Sequence, residues 1–238
     1  MYQDIDYSYK AFLNILEKHS NGLNYFFDNA ILEELHKEIY RYNELVHLNV
    51  DNDSSSKYKT EMFRNTFESL KLCISTRKTS ALHILRSVLE LYSKMNISRI
   101  NFDVDRKFSV NIDRFIKEKK HGRKKDARVF IELKDELKDI YYDLCEYVHT
   151  GETIDIEPFQ VMEEVFQESF VQDNFEYVVK KMTMIFKYFI KIDLLANSLF
   201  YFSNLPSTVL SDYKNIYLND LEKAYFYNST ENKTKPTN

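Results

Sequence analysis

Apolar residues recur three and four positions apart along most of this chain, the spacing of one face of an α-helix. Phe12, Ile15 and Leu16 share such a face in a stretch from about Tyr7 to Phe27. Leu32, Leu35, Ile39 and Val46 do so from about Ala30 to Leu48, and Phe63, Phe67, Leu70 and Ile74 from about Tyr58 to Thr76. A fourth helix is predicted from Ser80 to Met95, and a short basic one from Val110 to Lys120. The period returns from Asp126 to Val148, again after Pro158, strongly from Asn174 to Phe202, and finally from Thr208 to Tyr227. Polar or irregular segments separate them. Asp51 to Ser56 offers N-caps to the helix that follows. Asn96 to Phe108 and Thr150 to Pro158 read as loops, His121-Gly122 as a break, and Pro206 as a stop. The pattern predicts an all-α bundle of about eight helices, with no sheet beyond a short hairpin near Ile97 to Val110. Residues 1–227 form one domain in this reading, and the polar run 228–238 a frayed tail.

Composition supports that picture. Hydrophobic residues make up 44% and charged residues 29% of the chain, which excludes global disorder. Only three Gly and three Pro are present, so little interrupts long helices. The 18 Tyr and 18 Phe beside no Trp reflect mainly AT-rich codon usage and not a ligand-stacking device. Cys73 and Cys145 lie far apart and lack metal-ligand spacing, so neither a disulfide framework, a metal site nor a cofactor is expected. The N-terminal residues lack the apolar core of a signal peptide, and no run approaches 18 apolar residues. The expectation is a cytoplasmic protein without a membrane partner.

Charge is unevenly distributed. Arg106 to Arg128 carries ten Lys or Arg against three acids, whereas Val129 to Glu176 carries fourteen acids against two Lys. One reading is two solvated faces that keep the chain soluble. The other is a phosphate-contacting segment built from Lys117, Lys119, Lys120, Arg123, Lys124, Lys125 and Arg128 around a glycine. No aromatic is interleaved there, so such a segment would follow a nucleic-acid backbone and not read bases.

Two helices carry residues suited to chemistry. In LRSVLELY, Arg86 and Glu90 lie four apart, opposite the apolar arc of Leu85, Val88, Leu89 and Tyr92. They are an exposed ion pair unless a second layer of helices covers that face. In YYDLCEYVHTGE, His149 ends a helix before Gly151. It can serve as a cation against the helix dipole, or as an imidazole that moves protons near neutrality. Tyr142, Glu146 and His149 fall within helical reach of one another. No phosphate-binding glycine loop, HExxH or nucleophile elbow occurs.

Arg86 and Glu90, followed by Tyr142, Cys145 and His149, resemble the motifs of HEPN-like proteins (higher eukaryotes and prokaryotes nucleotide-binding) of bacterial abortive-infection and toxin-antitoxin systems. The match covers roughly a quarter of the chain. The resemblance implies a helical fold, a phage-defence setting, dimers, and in many members a metal-independent ribonuclease. There an Arg and a His, often paired across a dimer, promote attack of the RNA 2′-hydroxyl on the adjacent phosphate. The family's usual spacing places Arg four to six residues before His, and His149 has no such Arg. That bare spacing occurs instead at Arg41 to His47, Arg77 to His83 and Arg114 to His121.

Two functions follow as expectations. In the first, the chain acts on RNA: Arg86 binds phosphate, Glu90 orients, His149 handles protons, Tyr142 helps hold substrate, and Lys117 to Arg128 guides the strand. In the second, it is a non-catalytic helical module that binds a protein partner or itself.

Overall fold

The computed structural model describes residues 2–19, 30–49, 51–75, 77–120, 127–149 and 172–231. Among these residues there are ten helices and no strand. They are α1 (Tyr2–His19), α2 (Ala30–His47), α3 (Asp53–Ile74), α4 (Lys78–Arg99), α5 (Phe108–Lys120), α6 (Ala127–His149), α7 (Gln172–Ala196), α8 (Ser198–Asn204), α9 (Ser207–Tyr217) and α10 (Asp220–Glu231). The all-α expectation holds, with more helices than about eight. The expected hairpin near Ile97 is absent, because α4 runs on to Arg99 and 102–105 have no regular structure. The expected loop after His149 and helix after Pro158 lie outside the described residues.

The extra helices come from caps. Residues 174–202 were expected to be one helix but divide at Asn197, and 208–227 divide at Leu218-Asn219. At the second break the Asn219 side chain accepts from the Glu222 N–H at 2.9 Å, and the Glu222 carboxylate accepts from the Asn219 N–H at 2.7 Å. This reciprocal pair satisfies two donors that a helix start leaves open. Asn52 likewise accepts from the Ser55 N–H at 2.8 Å, so α3 begins at Asp53, five residues before the expected Tyr58. The Asn52 amide also donates to the Ser98 carbonyl at 2.6 Å, tying the start of α3 to the end of α4. Asn52→Ala is expected to cost about 1–2 kcal/mol, since it removes a cap and an interhelical bond together. Urea denaturation would measure it. The last helix continues past the expected end at Tyr227, and buries Ser229 and Thr230.

Helix α4 is the axis of the bundle. It packs along α3 and also touches α5, α6 and α7. Small residues bring α3 close: Ser69 is fully buried and its hydroxyl donates to the Ala81 carbonyl at 2.7 Å. Tyr92 of α4 stacks on Phe189 of α7 at 3.8 Å between centroids, and Tyr42 of α2 meets both rings. The directions follow from the pairs. Lys78 sits over Tyr177 and Tyr92 over Phe189, so α4 and α7 run the same way. Phe108 stacks on Tyr141 while Asp113 pairs with Lys138 and Lys134, so α6 opposes α5. Lys181 pairs with Asp143, and Tyr188 bonds Glu136, so α6 opposes α7 and therefore α4. Two expected core positions are on the surface instead: Ile15 and Phe67 are exposed. On α3 the buried line passes through Met62, Thr66, Ser69, Leu70 and Cys73. Periodicity weighs apolar residues, and the small polar ones here follow the close α3–α4 contact.

Candidate functional site

Helix α6 reaches the face of α4 opposite its apolar arc through Tyr141, while His83, one turn before Arg86, is exposed. Arg86 and Glu90 are therefore not a fully exposed pair: their side chains are 22% and 23% exposed, with Arg86 Nε 3.5 Å from Glu90 Oε1. The Tyr141 hydroxyl of α6 donates to the same Glu90 oxygen at 2.9 Å. Tyr141 is fixed by its stack on Phe108, 4.4 Å between centroids. Burial, and then the bond to Glu90, push its phenol well above the usual value. Its ring therefore stays a neutral donor at physiological pH. The chain Arg86–Glu90–Tyr141 joins two helices through one carboxylate.

Tyr142, expected to help hold substrate, is 51% exposed beside Tyr141. Tyr141, which the sequence reading did not single out, makes the bond to Glu90. His149 is the last residue of α6. Since α6 opposes α4, the helix leads from Tyr141 past Cys145 along the N-terminal half of α4, where Arg86 lies. The His149 side chain is outside the described residues. Tyr141→Phe is expected to lower stability by about 1 kcal/mol, the loss of one bond to a charged group at a half-open site. Thermal denaturation would read it, with Tyr142→Phe unchanged as the control.

In the basic segment, Lys117 and Arg128 are exposed, and Arg128 pairs with Glu132 one turn on. Lys119 is held: its ammonium donates to the Asn197 side chain at 2.6 Å and lies over the Phe115 ring. The Lys120 side chain, Arg123, Lys124 and Lys125 fall outside the described residues. Arg41, the first of the bare Arg-to-His spacings, is bonded to Tyr217 at 3.2 Å and to Glu38 at 3.3 Å, while His47 is exposed. Glu38 is buried and accepts from the Tyr217 hydroxyl. A pocket of about 460 Å³ opens there, but its acids and cations pair internally, Lys37 with Glu33 and Lys187 with Glu34.

A second polar centre escaped the sequence reading. Asp193, in the last turn of α7, is 0% exposed. Its Oδ1 accepts from the Tyr92 hydroxyl at 2.9 Å, and its Oδ2 lies 3.9 Å from Arg99 Nη1. Arg99 Nε donates to Asp51 Oδ1 at 2.8 Å, and Asp51 also takes Lys59. Burial raises the Asp193 carboxyl to about 6 against the opposing pull of Arg99, while Arg99 and Lys59 hold Asp51 below its usual range. A pocket of about 220 Å³ adjoins the cluster, lined by Asn49, Asn96, Arg99, Phe115, Lys119, Asn197 and their neighbours Ile100 and Phe200. The available signal was an acid inside the most apolar window of the chain, which carries a cost unless paired.

Among the described residues, no three of His, Cys, Asp and Glu gather to hold a metal, and no helix is long and apolar enough to cross a membrane. No family model, curated protein or solved structure matches this chain.

Proposed function

We propose that the chain acts on RNA as an HEPN-like protein, with Arg86, Glu90 and His149 as its working groups. The observation that supports this reading is the Tyr141–Glu90–Arg86 chain. It holds a partly open guanidinium on α4 beside the helix whose last residue is His149. A half-buried ion pair tied to a neutral phenol is pre-organised, which an isolated surface pair is not. In this reading Arg86 neutralises charge on a scissile phosphate, and Glu90 fixes Arg86 in place. His149 takes the proton of the 2′-hydroxyl as that oxygen bonds to phosphorus. The bond from phosphorus to the 5′-oxygen breaks as that oxygen takes a proton from solvent water, leaving a 2′,3′-cyclic phosphate and a 5′-hydroxyl, and the imidazolium then gives its proton back to solvent. No metal enters the step.

Filter binding of single-stranded RNA at low and high salt tests the proposal. Binding should fall steeply with salt, since each phosphate contact releases condensed counterion. Replacing Lys117, Arg123 and Lys125 by Glu should weaken it at little cost in stability. Lys119 is left out of that set because it is anchored to Asn197. His149→Ala should leave binding nearly intact and abolish cleavage, because a proton-transfer group acts in the transition state. RNA that fails to bind at low salt, or cleavage that survives His149→Ala, would reject the reading and leave the helical interaction module.

A further inference from the structure

Cleavage at Arg86, Glu90 and His149 involves two proton transfers, and those groups serve one of them. His149 takes the proton of the 2′-hydroxyl, while the departing 5′-oxygen has only water to draw on, a far weaker acid than an imidazolium. We propose that His83 is a second catalytic histidine of this site, the acid that protonates the leaving 5′-oxygen in place of water. This role rests on the ribonuclease reading and extends it by one residue.

His83 stands three residues before Arg86 on α4, its neighbour on the helix surface at about 5–6 Å between Cβ atoms. It also stands seven before Glu90, two turns less about 20°, so His83, Arg86 and Glu90 form one stripe. The Tyr141 hydroxyl bonds Glu90 and fixes the level of α6 against that stripe. From this bond His83 lies about 10 Å back along α4, at a rise of about 1.5 Å per residue. His149 lies about 12 Å on along α6 by the same rise. Helix α6 packs on α4 and runs against it, so both counts lead to the same end of the pair. The two histidine positions are therefore within about one turn of each other on adjacent helices, and Arg86 is the cation nearest to them on the stripe. A phosphate held there by Arg86 has a histidine position of each helix beside it, one for each of its reacting oxygens.

His83 is also free to act. It is exposed, and among the described residues its ring makes no hydrogen bond, ion pair or ring contact. Two other donors beside Arg86 do not suit the step. The Tyr141 hydroxyl is committed to Glu90 at 2.9 Å, and burial with that bond holds its phenol well above the usual value, which makes it a poorer acid. The Arg86 guanidinium does not give up a proton in a protein. An imidazole ordinarily titrates near neutrality, so it can give a proton in one turnover and regain it before the next. With His83 in place the step balances within the site. The 2′-oxygen gives its proton to His149 and bonds to phosphorus. The bond from phosphorus to the 5′-oxygen breaks with its electron pair on oxygen, and that oxygen takes the His83 proton. His149 ends protonated and His83 neutral, and exchange with solvent restores both.

Two substrates of different leaving group test this on the full chain. One is a short single-stranded RNA, whose 5′-oxygen needs a proton to leave. The other is uridine 3′-(4-nitrophenyl phosphate), whose nitrophenolate leaves without one. His83→Ala should slow cleavage of the RNA by about 100-fold or more, the contribution of a positioned acid, and leave release of nitrophenolate within about twofold of the wild type. His83→Gln keeps a hydrogen bond but has no proton to give, and should show the same split. His149→Ala should slow both substrates, because each must lose its 2′-proton. Substitution at an exposed position should leave the fold intact, read by circular dichroism. RNA cleavage unchanged in His83→Ala and His83→Gln, or equal slowing of both substrates by them, would overturn the role of His83 and leave His149 in place. A wild type that cleaves neither substrate would overturn the ribonuclease reading, and the role of His83 with it.

Discussion

Replacing Arg99 by Met is expected to lower stability by about 3–5 kcal/mol at neutral pH, the scale on which removing one partner of a buried ion pair acts. The guanidinium serves two carboxylates, bonding Asp51 at 2.8 Å and facing the fully buried Asp193 at 3.9 Å. Its removal leaves Asp193 with only the Tyr92 hydroxyl, and Asp51 with Lys59 and the Ser55 hydroxyl. Neither acid can turn to bulk water, because their side chains are 10% exposed or less. The double variant Arg99→Met with Asp193→Asn should recover part of the loss, because no uncompensated carboxylate then sits at the core. Guanidinium chloride denaturation of the single and double variants measures this. Equal losses in the two would mean that Arg99 stabilises through packing alone. A loss below about 1 kcal/mol would place the cluster with surface pairs.

The helices were legible in the sequence wherever an apolar stripe was broad. Leu32, Leu35, Ile39 and Val46 on α2, and Leu85, Val88, Leu89 and Tyr92 on α4, lie in the core as their spacing requires. Helix ends were less legible because they depend on caps. The Asn219–Glu222 pair has a signature in N-x-x-E, but the apolar period carried the reading across it. Burial of polar residues was least legible. Thr66 and Ser69 are inside because carbonyls accept from their hydroxyls, and Asp193 because the Tyr92 hydroxyl donates to it. For Ser69 and Asp193 the neighbour lies on another helix, which no local window contains. The same limit separated Tyr141 from Tyr142. Both sit on α6, and only the contacts with Glu90 and Phe108 distinguish the bonded one. Arg86 and Glu90 were found from residue type and spacing, while their partial burial and the bond from Tyr141 of α6 depend on how the helices pack.

Asp193 should also give the protein a pH dependence opposite in sign to that of an ordinary paired carboxylate. Its carboxyl is raised from 3.8 to about 6, first by burial, with Arg99, Tyr92 and Lys119 pulling the other way and Asp51 adding to the rise. Tyr42 and Tyr201, also near it, are pushed well above the usual phenol value and stay neutral across this range. In the unfolded chain the Asp193 carboxyl loses its proton near pH 4, as a free aspartate does, and in the folded chain near 6. Between these values the folded state holds more protons, so stability falls as pH rises through the window and stays lower above it. A shift of about two units at about 1.4 kcal/mol each corresponds to roughly 3 kcal/mol. Asp51 opposes this trend, since its lowered carboxyl contributes stability above the ordinary carboxylate range that is lost in acid. The slope of the wild type alone is therefore mixed, and the difference from Asp193→Asn isolates the one group. Between about pH 4 and pH 7 that difference should move by roughly 2 kcal/mol in favour of Asp193→Asn, read from urea midpoints at each pH. A difference that stays constant would mean that burial and the pull of Arg99 cancel, leaving the carboxyl near its free value. One that moves in favour of the wild type would mean that the pair with Arg99 dominates the cluster.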